Sequence, residues 1–440
     1  MVTAPLRPSQ DPLQALLAKV QRAEQEQNLD EAARLYKEIL RLRPNWIEAE
    51  FNLGTIYYTQ KKYPEAIGLF DEVIRQDRDL ADAYLFQGVS YYQTDQYTKA
   101  LASLKKFCSL KPEDPQIHFF LGAVYYELGD YSNAALQDLG QLKTGSDQDR
   151  TYYQLGKAYQ ALADEALRIL RGKGKKDQEV LEEALKPGVL ECQQSKGLAD
   201  GLLLTACLNV SQDLSAGTTA LMEAQRRAPG DKDVTFWSFR LYSAMAESAY
   251  AKLVARSPNS LLAALIRAEN LGWQGKRPEA EREYQRAIQL SDSDPEALIS
   301  YGKFEDKVGQ YGEAIGLFQR ALALEPSNLR AAALLGEAYV MNNQPEQAVS
   351  QLDRVVRSSP EDNKSRIYLA EATDSLGHLE DAIKILEQAD SDEDGRIHYM
   401  LGKYYLRKGE KAKADQAFAT FQRLQRARKD EYGADGSKNQ

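Results

Sequence analysis

Apolar residues recur at three- and four-residue steps along most of the chain, the period of a helix with one buried face. Short polar or glycine-containing stretches, such as Leu128-Gly129-Asp130, interrupt the pattern at regular intervals. The helices they separate come in pairs, and the pairs repeat. Gly54, Gly88, Gly122 and Gly156 stand 34 residues apart, and each is followed three residues later by a tyrosine: Tyr57, Tyr91, Tyr125 and Tyr159. A fixed period of this length predicts stacked helical hairpins. NLGTIYY, FQGVSYY and FLGAVYY are copies of one first helix; YGKFEDK, LLGEAYV and MLGKYYL, around Gly302, Gly336 and Gly402, are three more.

A glycine inside a helix costs about 1 kcal/mol relative to alanine, so its recurrence predicts a second element lying close against it. Ala66, Ala100 and Ala314 on the second helices are expected to make that approach, with Tyr57 and Phe70 filling the space beside it. Pro44, Pro112, Pro326 and Pro360 end second helices, because proline lacks the amide hydrogen and disfavours helix in the residue before it. This order of small, aromatic and proline positions resembles the tetratricopeptide repeat (TPR) family. The resemblance implies an all-α fold, a right-handed α-solenoid of helix-turn-helix repeats whose first helices line the inner face. It covers residues 13–148 and 261–420; residues 13–46 form an entry copy with Ala32, Tyr36 and Pro44 but no glycine.

Residues 149–260 depart from the pattern. The segments 151–171 and 234–256 align from Tyr159 (YQALADEALRIL) and Tyr242 (YSAMAESAYAKL), and neither contains a turn signal. Each is expected to be one helix of roughly 20 residues, about 30 Å long. Between them lie RGKGKK, a helical segment 177–186 ended by Pro187-Gly188, and an eroded repeat over 198–230. The expected organisation is a disordered start over 1–12, a first array over 13–148, an irregular helical middle over 149–260, a second array over 261–420, and a basic helix end with a disordered tail over 421–440. Interrupted arrays of this kind also resemble multi-repeat bacterial proteins.

The family geometry places particular slots of each first helix on the concave side. In the first array they hold Phe51, Leu85 and Phe119, then Tyr58, Tyr92 and Tyr126, with the smaller Thr55, Val89 and Ala123 between. Tyrosine joins an apolar body to a polar tip, which suits a contact surface. In the second array the corresponding slots hold Lys303, Glu337, Glu371 and Lys403, then Asp306, Val340, Asp374 and Leu406, with Lys307 and Arg407 beside them. The two surfaces are therefore expected to bind different things, the first apolar side chains of a peptide or helix and the second charged ones. The alternative is that the aromatics pack on neighbouring helices or on the irregular middle. Family members that grip a C-terminal carboxylate use Lys and Asn at fixed inner slots. Phe51, Thr55 and Thr59 supply no cation in one such set, which disfavours that function here.

A net charge of -9 and a pI near 5.3 argue against nucleic acid and anionic membranes as partners. Cys108, Cys192 and Cys207 are odd in number and lack CxxC spacing, which excludes a disulfide framework. No apolar stretch approaches the roughly 20 residues of a membrane-spanning helix. The start, MVTAPLRPSQDP, lacks the charged-then-apolar order of a leader, so the cytoplasm is the default compartment; a chain whose leader had been removed would look the same and would sit in the cell envelope or periplasm.

Chemical motifs are sparse. His118, His378 and His398 lie far apart and are expected to be packed and hydrogen-bonded. Asp390-Ser391-Asp392-Glu393-Asp394-Gly395 copies half a calcium loop, but the twelfth position is Leu401 rather than the glutamate that closes the cage, so it reads as an acidic turn. Gly172-Lys173-Gly174-Lys175-Lys176 lacks phosphate-loop spacing and reads as a solvated loop. Arg423, Arg426, Arg428 and Lys429 suit a helix C-terminus. The expected function is a non-enzymatic scaffold with protein partners and no cofactor or metal. Self-association through the aromatic strip is the alternative. A calcium-dependent regulator or enzyme is a third reading, resting on the acidic run alone.

Overall fold

The computed structural model describes residues 12–114, 116–145, 147–171, 201–291, 293–360, 362–389, 392 and 395–433. Every regular element among them is an α-helix. The chain forms two compact units, Met1–Val124 and Tyr125–Gln440. The first pairs α1 (Pro12–Gln25) with α2 (Leu29–Leu42), α3 (Ile47–Thr59) with α4 (Tyr63–Gln76), and α5 (Ala81–Gln93) with α6 (Tyr97–Leu110). The division falls inside α7 (Gln116–Glu127).

The second unit begins with α8 (Tyr131–Thr144), α9 (Gln148–Arg171), α10 (Gly201–Asn209), α11 (Leu214–Arg227) and α12 (Lys232–Arg256). Five further pairs follow: α13 (Leu261–Trp273) and α14 (Arg277–Leu290), α15 (Pro295–Lys307) and α16 (Tyr311–Leu324), α17 (Leu329–Met341) and α18 (Pro345–Ser358), α19 (Asn363–Ser375) and α20 (Leu379–Glu387), α21 (Arg396–Lys408) and α22 (Lys411–Gly433). The fold is an all-α solenoid.

The period is written into the helix ends. Lys61, Asp95 and Gly129, and again Gly275, Gly309, Asn343 and Gly377, have positive φ at 34-residue steps, so the chain reverses at the same point of each copy. Ser260, Asp294, Asn328 and Asp362 follow the same step and cap α13, α15, α17 and α19, each accepting a backbone N–H from the first turn. Such caps contribute about 1 kcal/mol each.

The repeat glycines do make room for a close approach, but not for the residues expected. A Cβ at Gly54 would lie 2.8 Å from the Phe70 ring, one at Gly302 2.5 Å from Phe318, and one at Gly336 2.4 Å from Leu352. A large side chain of the second helix therefore lies over each bare backbone. Ala66, Ala100 and Ala314 are fully buried, yet they are not what fills the space the glycine leaves. The helix cost of glycine is offset by burying a whole ring or isobutyl group, worth about 1.5–3 kcal/mol.

The same logic explains α9 and α12. These helices run 24 and 25 residues. They lie antiparallel: Arg256 Nε is 3.0 Å from Asp149, Tyr153 and Leu253 share one apolar cluster, and the Tyr159 and Tyr242 rings stack at 6.1 Å. A Cβ at Gly156 would strike the Tyr250 ring at 2.2 Å. Tyr250 thus does for Gly156 what Phe70 does for Gly54, although it comes from 94 residues downstream rather than 16. In packing terms α12 is the second helix of the pair that α9 begins, with a long insertion between them. α11 closes over this pair through a hydrogen bond between the Tyr159 and Thr218 hydroxyls and one from the Tyr242 hydroxyl to Gln225 Oε1 at 3.0 Å.

The readings of 1–11, RGKGKK beyond Arg171, 177–188, Cys192 and 434–440 fall outside the described residues. The cysteine reading needs correction: Cys108 is a free thiol, whereas Cys207, buried in the core of the second unit, is disulfide-bonded.

Asp138 on α8 is 1% exposed, and its Oδ1 has no hydrogen-bond partner. Burial pushes its carboxyl well above the usual range. The native state therefore keeps a proton that the unfolded chain releases above about pH 3.9, and stability falls as pH rises from there through the raised folded value. Asp138→Asn is expected to flatten that decline and raise stability at neutral pH. Urea midpoints measured against pH check this; an unchanged slope contradicts it.

Candidate functional site

In the first unit, Tyr58 and Tyr92 sit at the C-terminal ends of α3 and α5, half-buried. Each leans on the tyrosine that opens the next helix, Tyr63 at 5.8 Å and Tyr97 at 5.8 Å. Phe51 meets Phe70 and Phe86, both at 5.9 Å, and Tyr58 meets Phe86 edge-on at 5.3 Å. Phe119 packs on Phe120 at 5.4 Å, and Leu85 is half-buried. Burial raises the pKa of the Tyr58 hydroxyl. These side chains pack against neighbouring rings and are only half-buried. Phe86, Tyr97 and the buried Tyr63 support this strip and were missed by sequence reasoning, although Tyr63, Tyr97 and Tyr131 share the 34-residue step.

Tyr126 belongs to the second unit. It packs on Tyr131 at 5.3 Å, and Lys157 Nζ lies 5.0 Å from its ring centroid and 5.5 Å from that of Tyr153. Lys157 follows Gly156 as Lys303 follows Gly302, so both occupy one slot of their helices; Glu269, Glu337 and Glu371 continue it at 34-residue steps from Lys303. Sequence reasoning missed Lys157 and Glu269, though this step finds both. Tyr126 and Lys303, assigned to two different surfaces from the sequence, both feel the charges of Glu269 and Arg330.

Glu337 meets Lys364 at 2.6 Å and also accepts from the Tyr368 hydroxyl at 2.7 Å. The same 27-residue offset sets Glu269 against Glu296 and Lys303 against Arg330, both like-charged couplings. Glu296 and Arg330 pair with each other at 3.1 Å. Burial and its carboxylate neighbour push Glu269 up, against the pull of Lys157 and Lys303. Burial, Arg330 and Lys157 push Lys303 down. Burial would raise Glu296, but Arg330, Lys157, Lys303 and Arg150 together hold it below its ordinary value.

Further along, Asp306 Oδ1 lacks a hydrogen-bond partner; burial and Glu337 raise its carboxyl. Burial raises Glu371 while Lys403 opposes it, and Lys403 Nζ lies 5.7 Å from the Tyr399 ring. Arg407 pairs with Asp374. Lys307 stands 3.6 Å from the ring of Trp273, which is 71% exposed.

No group of three His, Cys, Asp or Glu among the described residues is placed to hold a metal ion. Asp390, Glu393 and Asp394 of the acidic run lie outside them. Asp392 caps α21, accepting from the Ile397 and His398 amides at 3.1 and 2.8 Å and pairing with His398 Nδ1 at 2.5 Å. No helix among the described residues is long and apolar enough to cross a membrane.

Models of the tetratricopeptide repeat match residues 17–81 and 267–328, 307–373, and 395–428. The chain is a tetratricopeptide repeat protein. A model described as anaphase-promoting complex, cyclosome, subunit 3 matches residues 59–137 of this TPR protein. No curated protein matches it. Among solved structures, MamA 41-end from Desulfovibrio magneticus RS-1 is 25% identical over 37% of the TPR chain and 96% of its own, with a TM-score of 0.34. YrrB, described as a TPR protein with an unusual peptide-binding site, is 22% identical over 40% and 92%, also at 0.34. TPR arrays are protein-interaction modules, and the partners expected of this one are proteins.

Proposed function

We propose that this protein is a non-enzymatic scaffold that holds peptide or helical segments of partner proteins against the concave faces of its repeats. The observation that carries the reading is the half-buried Tyr58 and Tyr92, set against Tyr63 and Tyr97. Rigid amphipathic rings of this kind give contact area at low entropic cost. The slot of Lys303, Glu337, Glu371 and Lys403, with Asp306 one turn on from Lys303, adds charged contacts in the second unit.

Replacing Tyr58 and Tyr92 together by alanine is expected to weaken partner capture at least tenfold, as loss of two aromatic anchors does. Helical circular dichroism should stay unchanged, since both rings are only half-buried. An identical set of captured partners from the double variant counts against the scaffold reading. Self-association would bury the same face; sedimentation that stays monomeric at high concentration removes that alternative.

A further inference from the structure

The long hairpin of α9 and α12 joins the next repeat loosely. α12 and α13 meet near their shared turn, where Leu253 and Ile266 are buried in one cluster. As a pair they pack less closely than α4 on α5 or α16 on α17. A cleft of about 530 Å³ remains between α9, α12 and α13, a volume in the range of ligand-binding clefts. Its floor is apolar. Tyr250, Ala251 and Val254 line it from one face of α12, and Ile266 from α13. The Tyr250 ring is held there by its seat over Gly156. Trp273, the last residue of α13, also lines the cleft and is exposed. Lys307, 3.6 Å from its ring, comes from α15, which does not line the cleft.

The rim is acidic. Asp164 of α9 and Glu247 of α12 line the cleft and are exposed. Among the described residues neither makes an ion pair; Asp164 accepts from Gln160 at 3.3 Å. The cation that lines the cleft, Arg267, is already engaged by Glu283 at 2.9 Å and by the Pro258 carbonyl at 3.0 Å. Two unmatched carboxylates thus stand over an apolar floor. A long basic side chain complements this arrangement, with an aliphatic stem that covers apolar surface and a cation at its tip. Arginine suits it better than lysine, because its flat fork pairs with carboxylates and stacks on tryptophan. We propose that this cleft receives an arginine of a partner protein's segment, its stem on Val254 and Trp273 and its guanidinium taken by Asp164 and Glu247. A nucleic acid or an acidic peptide would be repelled by the same carboxylates. The proposal rests on the scaffold reading and adds to it a site and the chemistry of its ligand.

The test uses the full chain and an array of dye-labelled peptides, acetylated and amidated at their ends. Within each leucine-bearing frame they differ at one position, which carries arginine, lysine, glutamine or glutamate. By fluorescence anisotropy, arginine members are expected to bind about tenfold tighter than glutamine ones, the usual worth of a charge-assisted hydrogen bond. Asp164→Asn with Glu247→Gln should abolish that preference without moving the thermal midpoint, since both side chains are exposed. Trp273→Ala should weaken the arginine members several-fold, and Glu346→Gln, on α18, should change nothing. Glu247→Arg should turn the preference toward glutamate peptides, an effect no purely structural role predicts. Equal binding of all four classes, or an arginine preference that survives Asp164→Asn with Glu247→Gln, overturns the proposal. So does a Trp273→Ala variant that changes only self-association in sedimentation, which assigns the cleft to a second copy. If peptides bind and only Tyr58→Ala with Tyr92→Ala weakens them, the scaffold reading stands and this one falls. If no peptide of any charge binds, both fall.

Discussion

Phe318→Ala is expected to destabilise the second unit by about 3–5 kcal/mol, the range for deleting a buried aromatic ring. Phe318 is fully buried, and its ring occupies the space that Gly302 leaves open. With the ring gone, the glycine backbone faces a void, and α15 and α16 lose the contact that sets their spacing. Phe318→Leu should cost about 1.5 kcal/mol or less, because Leu104 and Leu352 perform the same task over Gly88 and Gly336. In a stacked array each repeat touches its neighbours only, so the loss propagates from that hairpin. Urea denaturation gives the magnitude, and hydrogen exchange should show the earliest opening in α15 and α16. Equal costs for alanine and leucine would show that the ring is not what spaces the pair.

Tyr242→Ala is the second large effect, again about 3–5 kcal/mol. The ring is wholly buried, stacks on Tyr159 and donates to Gln225. Its removal loosens α12 from α9 and leaves the half-buried Gln225 amide oxygen without its donor. Tyr242→Phe keeps the stack and loses only the hydroxyl, so about 1–3 kcal/mol is expected from the orphaned Gln225 oxygen. Hydrogen exchange is the decisive readout: alanine should speed exchange over residues 148–171 as well as 232–256. Faster exchange confined to 232–256 would mean that the two helices are not held as a pair.

Much of the fold was legible because a repeated sequence reports each constraint several times. The helical period, the glycine step and the terminating prolines each recur often enough to separate architecture from accident. What escaped was the identity of the contact at the glycines. Gly54 and Ala66 looked like two small partners, whereas Phe70, one helical turn beyond Ala66, fills the gap. Spacing along the chain shows that backbones approach; it does not show whose side chain arrives. The caps at Ser260, Asp294, Asn328 and Asp362 were visible at the repeat period and went unread, because they carry no hydrophobic signal.

The surface residues divide for a different reason. Phe51 and Tyr58 could be placed on the inner face, but their half-burial against Phe86 depends on the neighbouring repeat. Lys157 lay hidden in a stretch that looked irregular, although its slot is that of Lys303. Tyr126 and Lys303, assigned to separate surfaces, both feel the charges of Glu269 and Arg330, a coupling that spacing along the chain does not reveal.

That pair has a further consequence for how such a chain can grow. α9 and α12 recognise each other through their own side chains, so the register of the stack does not depend on what joins them. Doubling the length of a joining segment costs only about 0.6 kcal/mol in closure entropy. New sequence can therefore be gained or lost at this one hairpin while the repeats on either side keep their order, making it the natural port through which an otherwise uniform stack takes on extra parts.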